Sequence, residues 1–518
     1  MSYFIGLDVG TTGAKALIID QDGRVLGSAT TAYEMSTPRP LWAEQNPEDW
    51  WNASKISFRR LLGDSGIRNQ DVRGLGLTGQ MHGLVLLDEK GNILRPCIMW
   101  NDQRTIDECR EMTDKAGFER LLRITGNPVL PGFTAPKILW VGKNEPEIYK
   151  QIAHILLPKD YIRYRLTGEF ATDVSDASGT SLLDVNQRNW SGEILSLVNI
   201  RSEWLPKVYE SPFITGKVTS EAASMTLLCE GTPVVGGGGD QAAGAVGTGT
   251  VRQGITSVVL GTSGVVFTHT DKLKIEPEGR LHAFCHAVPG TWHLMGVTLA
   301  AAGSFRWFRD VLGDTEISLA RHTGQDAYEI LTREASLAER GSEGLLFLPY
   351  LSGERTPYPD PDAKGTFLGL TLRHSKPHLV RSVLEGVAFS LRDCLELNRS
   401  MGINAGQIRL SGGGARSSLW RQILADVFNS EIVTLTSTEG APYGAALLAA
   451  VGTGEFNTVE EACDRCLAAA DYIEPDAEGV KVYEDYYGIY KEMYPMLKNT
   501  FKTISRTVNK EFHSKTKN

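Results

Sequence analysis

The sequence predicts an α/β protein built as two similar lobes with a cleft between them, on three observations. At 518 residues the chain is too long for one ordinary hydrophobic core. β-rich runs alternate with helical periodicity from end to end, as in sheets covered by helices. A strand, a Gly/Thr-rich turn and a second strand also occur twice, around Gly10 to Gly13 and again around Gly261 to Gly264, and a cleft between two such units is a natural ligand site.

The first copy opens the chain. Residues 3–9 alternate as a strand, 10–13 turn, and 14–20 form a second apolar run; Gln21-Asp22-Gly23 is a hairpin turn into a third strand at 24–31. Helical periodicity follows at 50–62 and 119–122, with apolar strands at 74–77 and 84–87. Residues 234–239 lead into an Ala-rich helical segment at 242–249. The second copy is 256–260, then Gly261-Thr262-Ser263-Gly264, then 265–268. Beyond it lie a long helix at 376–399, a strand at 407–410 and a helix at 419–428. The implied division is a lobe at 1–250, a lobe at 251–480, and a C-terminal helix and polar tail at 481–518, whose basic, Ser/Thr-rich stretch from Asn499 is expected to fray.

Composition narrows the function. A content of 42% hydrophobic and 22% charged residues is that of a folded chain without a disorder signature. A net charge of -9 argues against nucleic-acid binding, which calls for a basic surface, so any phosphate must be met by local positive potential. No run approaches the roughly 18 apolar residues of a membrane span, and the first residues show no cationic segment leading into an apolar one. The reading is a cytoplasmic protein with no membrane partner. Seven scattered cysteines fit reduced thiols, and Cys463 and Cys466, lacking a second ligand pair, read as packed helical thiols rather than a metal site.

Three groups of residues carry chemistry. Asp8-Val9-Gly10-Thr11-Thr12-Gly13-Ala14-Lys15 puts a carboxylate at a strand end before a turn whose N–H groups and hydroxyls can wrap a phosphate. Asp8 then suits magnesium, which prefers carboxylate and phosphate oxygens, and Lys15 adds a point charge. A plain hairpin turn with an incidental Asp is the alternative, and the second loop at Gly261, Thr262 and Ser263 weighs against it. Four glycines, Gly236 to Gly239, precede Asp240 and suit close approach rather than packing. Asp240 either caps the following helix or accepts a hydroxyl proton as that oxygen attacks a γ-phosphate. Gly412-Gly413-Gly414-Ala415, after a strand, offers a flat surface for adenine and ribose, or simply a tight turn. The third group is polar within apolar surroundings: Thr78-Gly79-Gln80-Met81-His82-Gly83, Trp100-Asn101-Asp102-Gln103-Arg104 and Trp42-Ala43-Glu44-Gln45. Paired donors and acceptors beside aromatic and thioether walls suit a polyol, with His82 either a ligand or a satisfied core histidine.

In order and spacing, the 8–15 loop, the 236–245 stretch, 261–264 and 412–415 resemble the FGGY carbohydrate kinases over nearly the whole chain. That resemblance implies two actin-like ATPase (ribonuclease H-like) lobes, Mg-ATP bound between them, and transfer of the γ-phosphate to a sugar or polyol hydroxyl. Gln80-Met81-His82-Gly83, Trp100-Asn101-Asp102 and the run from Phe347 to Pro357 are similar to the branch of that family that makes D-xylulose 5-phosphate, so D-xylulose is the implied sugar. Carried over position by position, the resemblance implies Asp240 as catalytic base and Asp8 as the Mg2+-associated aspartate. It implies Gln80, Met81, His82, Asp102, Asp240 and Gln241 at the sugar. For ATP it implies Thr11, Thr12, Lys15, Gly261, Thr262, Ser263, Gly303, Gly412, Gly413, Gly414 and Ala415. Gln241 departs from the Asn of some members of the branch, which bears on acceptor preference. The rival readings are a kinase for another ketose or polyol and an actin-like ATPase switch; a homodimer is the default expectation from symmetry statistics.

Overall fold

The computed structural model describes residues 1–437 and 439–515. The chain forms two compact units and passes between them several times: one gathers Met1–Gln253, His269–Leu294 and Glu439–Ala468, the other Gly254–Thr268, Met295–Thr438 and Ala469–Asn518.

In the first unit, β1 (Tyr3–Val9) and β2 (Gly13–Asp20) pair antiparallel around the Gly/Thr turn, with Asp8 opposite Lys15, and β3 (Val25–Ala32) continues the meander. On the other side of β1 lies β4 (Val72–Gly79), parallel to it, with Thr78 beside Asp8. With β5 (Ile214–Lys217) and β6 (Pro233–Val235) the order is β5-β6-β4-β1-β2-β3, and a short β7 (Gly238–Gly239) pairs with the end of β4. The carboxyl ends of β1, β4 and β7 are therefore neighbours, the edge of a parallel sheet where ligands bind. They deliver Asp8, Gln80 and Asp240 to that edge.

Alternation along β1 explains its two covers. Ile5, Leu7 and Val9 join a core with Trp50, Trp51 and Phe58 of the helix Pro47–Ser65, which Asn46 caps by accepting the Glu48 N–H. Phe4 joins the opposite core, with Leu447 and Leu448 of the helix Ala441–Gly452. Between Phe4 and Asp8 on that face is Gly6, where a Cβ would stand 1.8 Å from the Pro442 carbonyl oxygen; at Gly76 of β4 a Cβ would stand 1.9 Å from that of Ala445. The helix lies on bare backbone.

The second unit repeats the first unit's hairpin. β8 (Ile255–Leu260) and β9 (Gly264–Thr270) pair antiparallel around Gly261-Thr262-Ser263, and β10 (Gln407–Ser411) runs parallel to β8, as β4 does to β1. β11 (Glu431–Leu435), parallel to β10, and β12 (Ala469–Ile473), antiparallel to β11, extend it. Its core holds the helices Lys376–Ser400 and Ser418–Phe428, with Tyr483, Tyr487, Tyr490 and Met493 of the helix Ala477–Lys515. The stretch expected to fray from Asn499 is instead helical through Lys515, with Phe501 near its start buried against the core; residues 516–518 lie outside the described residues. No described helix is long and apolar enough to cross a membrane.

Two glycine substitutions test the sheet–helix contact. Gly76→Ala must displace the Ala445 backbone and is expected to lose roughly 3 kcal/mol of unfolding free energy in urea. Gly63→Ala, in the helix Pro47–Ser65 with nothing within 4 Å of the new methyl, is expected to gain up to about 1 kcal/mol. Equal stability of Gly76→Ala and the parent chain would refute the close approach.

Candidate active site

Asp8 and Asp240 dominate the strand-end edge of the first unit. The Oδ1 of Asp8 is out of solvent without a hydrogen-bond partner. Burial first, then the Asp240 charge, push its carboxyl up to about 7, and Lys15 offsets this only in part. Burial likewise pushes Asp240 up to about 6, against hydrogen bonds from Gln241 that lower it. Two carboxyls raised by burial and placed near one another suit a cation between ligand phosphates, and the unpaired Asp8 oxygen is a fitting donor for a hard one. Lys15 forms an ion pair with Glu439, both side chains partly exposed.

The turn after β1 is held from outside. Gly10 N–H donates to Gly13 O (3.1 Å) and the Tyr33 N–H to Thr12 O (3.2 Å), while the Tyr33 hydroxyl donates to Gly10 O. Gln45 donates from Nε2 to Thr11 O (2.8 Å) and accepts at Oε1 from the Trp50 indole (3.0 Å) and from Gln80 Nε2 (3.1 Å). One amide thus ties the 10–13 turn to the end of β4, and the free oxygen of Gln80 stays buried and unpaired. The half-exposed Trp100 donates its indole N–H to Thr11 Oγ1 (3.0 Å), leaving a ring face beside the turn.

The sequence-predicted sugar residues separate into two sets. Gln80, Met81 and His82 lie together: a Cβ on Gly239 would strike the Met81 side chain, and one on Gly179 would strike the His82 ring at 2.5 Å. His82 adopts a left-handed backbone (φ 69°), its Nδ1 meets Gly179 O at 2.6 Å, and its ring stacks on Phe133 at 4.5 Å. The buried Lys137 holds the His82 carbonyl (2.9 Å); burial pushes its ammonium down to about 7. Asp102 is different. It is fully buried, accepts the Ala43 N–H (2.7 Å), and is bound through both oxygens by Arg104, whose guanidinium lies 3.7 Å over Trp42. Here it braces the 42–45 segment rather than presenting an oxygen.

Behind Asp240 lies a cluster the sequence did not reveal. Lys159, fully buried, touches Asp160 (2.7 Å), Asp173 (2.8 Å) and Asp176 (3.1 Å), and Arg163 lies 3.5 Å from Asp160. Two cations face three carboxyls, and burial holds that of Asp176 well above the ordinary range. Lys159, Asp160 and Arg163 come from the helix Pro158–Thr167, Asp173 from the end of the strand Ala171–Asp173 and Asp176 from the turn of helix after it, so they meet only through folding.

In the second unit a cavity of about 870 Å³ is lined by Gly261, Thr262, Gly303, Gly413 and Gly414, among the predicted nucleotide residues. Thr262 O accepts the Ala301 (2.9 Å) and Gly303 (3.0 Å) N–H groups, joining two walls. Ser263, Gly412 and Ala415 do not line it: Gly412 turns the chain at φ 91°, and Ala415 packs on the core. Sequence reasoning missed Arg306, Tyr328 and Arg333 in its lining, which belong to helices of unremarkable pattern. Glu354, from the 347–357 run, accepts the Leu299 (3.0 Å) and Arg355 (2.7 Å) N–H groups and the Thr298 hydroxyl (2.7 Å), fixing the chain that leads to Gly303. Burial pushes its carboxyl up to about 7.

With this geometry in hand, comparison with known proteins is direct. Residues 3–247 match the FGGY family of carbohydrate kinases, N-terminal domain, and residues 256–453 its C-terminal domain. The xylulose kinase of Escherichia coli K12 is 41% identical over 499 residues, covering 95% of this chain and 100% of that protein. That of Bacillus subtilis is 38% identical over 499 residues, covering 96% and 98%. Among solved structures, a ligand-bound xylulose kinase from Lactobacillus acidophilus superposes with a TM-score of 0.90 at 26% identity, covering 97% of this chain and 100% of that one.

The buried cluster yields a stability prediction. Lys159→Met leaves three buried carboxyls facing one guanidinium and is expected to cost roughly 3–5 kcal/mol in urea unfolding. A loss below about 1 kcal/mol would show that the carboxyls do not depend on the ammonium.

Proposed function

The chain belongs to the FGGY family of carbohydrate kinases, a phosphotransferase with the two-lobed α/β fold of actin-like ATPases, and we propose that it phosphorylates D-xylulose to D-xylulose 5-phosphate with Asp240 as general base. The observation that supports this most is the placement of Asp240 directly after the glycine run, with its carboxyl raised to about 6 and Asp8 at the neighbouring strand end. A carboxylate titrating near 6 is ionised at neutral pH yet basic enough to take a proton during attack.

In this reading the sugar lies against Met81 and His82, with the unpaired Gln80 oxygen accepting a hydroxyl hydrogen and Gln241 fixing a neighbouring one. The C5 hydroxyl donates to Asp240. As its oxygen forms the bond to the γ-phosphorus the proton passes to the carboxylate and ADP leaves, so no covalent enzyme intermediate is needed. Thr11 and Thr12, through their hydroxyls and N–H groups, hold phosphate oxygens, and Lys15, across the strand pair from Asp8, adds positive charge. Gly261, Thr262, Gly303, Gly413 and Gly414 hold the nucleotide; residues 1–250 thus serve the sugar and the first phosphate loop, 251–480 the nucleotide. Magnesium, when bound, neutralises charge on the phosphates, and Asp8 with waters and phosphate oxygens would hold it. The same reading places the enzyme in the cytoplasm, where its seven free cysteines stay reduced.

ADP release measured with Mg-ATP alone and then with D-xylulose, D-ribulose, L-ribulose, L-xylulose, glycerol and gluconate is expected to rise strongly only with D-xylulose. A rise with another acceptor would overturn the sugar assignment, and hydrolysis independent of any sugar would favour an ATPase switch. Asp240→Asn is expected to lower kcat by roughly 10³-fold while ATP affinity stays within about twofold; undiminished turnover would remove the base assignment. Because a protonated carboxyl cannot accept the hydroxyl proton, kcat/KM for the sugar is expected to fall as pH drops through about 6, and a flat profile there would contradict the assignment.

A further inference from the structure

The glycine run before Asp240 has no side chains with which to fix itself, yet it sets where the carboxyl points. Gly237 is left-handed (φ 68°), and a run of glycines has more backbone freedom than any other sequence. Both of its ends are held by one buried group of side chains. At the start, the fully buried Arg163 donates to Val235 O (2.6 Å) and Gly236 O (2.5 Å). At the end, the Gly239 N–H, one residue before Asp240, donates to Ser175 Oγ (3.1 Å). Ser175 in turn donates its hydroxyl hydrogen to Asp173 Oδ2 (2.5 Å), and the other oxygen of Asp173 is ion-paired with Lys159 (2.8 Å). Lys159, Asp173 and Ser175 have no solvent exposure.

We propose that Ser175, aligned by Asp173 and Lys159, is a positioning residue for phosphoryl transfer: its hydroxyl fixes the Gly239 N–H and through it the direction of the Asp240 carboxylate. The role rests on Asp240 being the base. Directionality is built in, because a hydroxyl that spends its hydrogen on Asp173 has only its lone pairs left for Gly239. Removing that oxygen leaves a buried N–H without a partner one residue before the base, at the end of β7, and only the pairing with β4 then holds Gly239. A displacement of about 1 Å at a reacting group is worth roughly 100-fold in rate, whereas substrate affinity depends on groups elsewhere.

The test is steady-state kinetics with Mg-ATP and D-xylulose on Ser175→Ala, Ser175→Thr, Ser211→Ala, Asp240→Asn and the Ser175→Ala/Asp240→Asn double variant, each with its melting temperature measured. Ser175→Ala is expected to lose roughly 10- to 100-fold in kcat with both KM values within about twofold. Ser175→Thr, which keeps the hydroxyl, restores most of the rate. Ser211→Ala serves as the comparison, since its hydroxyl also reaches Asp173 Oδ2 (3.2 Å) but not Gly239, and it keeps normal kcat. On the residual turnover of Asp240→Asn, Ser175→Ala makes no further difference, because it acts through the carboxylate. Normal kcat in Ser175→Ala beside a crippled Asp240→Asn overturns the positioning role alone, as would equal losses in the Ala and Thr variants, an equal loss in Ser211→Ala, or additive losses in the double variant. Normal kcat in Asp240→Asn instead overturns the base assignment on which the role rests.

Discussion

The contact on which the first unit depends is backbone against backbone: the helix Ala441–Gly452 resting on glycine faces with no side chain between. Gly6 and Gly76 admit it to β1 and β4, and Gly444 and Gly247 let it meet the helix Asp240–Gly247, where a Cβ on either would stand within 2.1 Å of a carbonyl oxygen. Close packing of this kind has little freedom to relax. It fixes β1, β4 and the helix of Asp240 as one body, and the chemistry inherits its geometry. Asp8, Gln80 and Asp240 are precise because the strands and helix that carry them are pinned from behind.

The second constraint is charge kept out of water. Asp8, Asp240 and Glu354 all have carboxyls lifted toward neutrality by burial, and Lys137 is lowered for the same reason. Such groups cost stability and are retained where a ligand or a fixed backbone needs them. Glu354 and Lys137 answer to the backbone, gripping Leu299 and His82. Asp8 is different, because its Oδ1 is buried without a hydrogen-bond partner. The Lys159 cluster is the extreme case: two cations and three carboxyls lie out of solvent, and its Arg163 donates to the carbonyls of Val235 and Gly236.

Much of this was legible in the sequence, for a physical reason. Glycine-bounded turns after β-rich runs declare themselves through residue type, so the 10–13 and 261–264 turns, the 236–239 run and Asp240 stood out, as did the repeated hairpin. What stayed hidden depends on distance along the chain. Lys159, Asp173 and Ser175 meet only through tertiary folding, and nothing local marks 439–468 as cover for β1 rather than part of the second unit's core. Asp102 shows the opposite limit: beside an exposed Trp100 it reads as a ligand, yet Arg104, two residues away, engages both its oxygens. A residue type names what chemistry is available, and only the neighbours in space say whether that chemistry is already taken.

A crystal structure of the enzyme with D-xylulose and a non-hydrolysable ATP analogue would locate the acceptor hydroxyl against Asp240. The sugar C5 hydroxyl is expected within about 3 Å of an Asp240 carboxylate oxygen and pointing at the γ-phosphorus. A sugar bound with Asp240 beyond hydrogen-bond reach of every hydroxyl would contradict it.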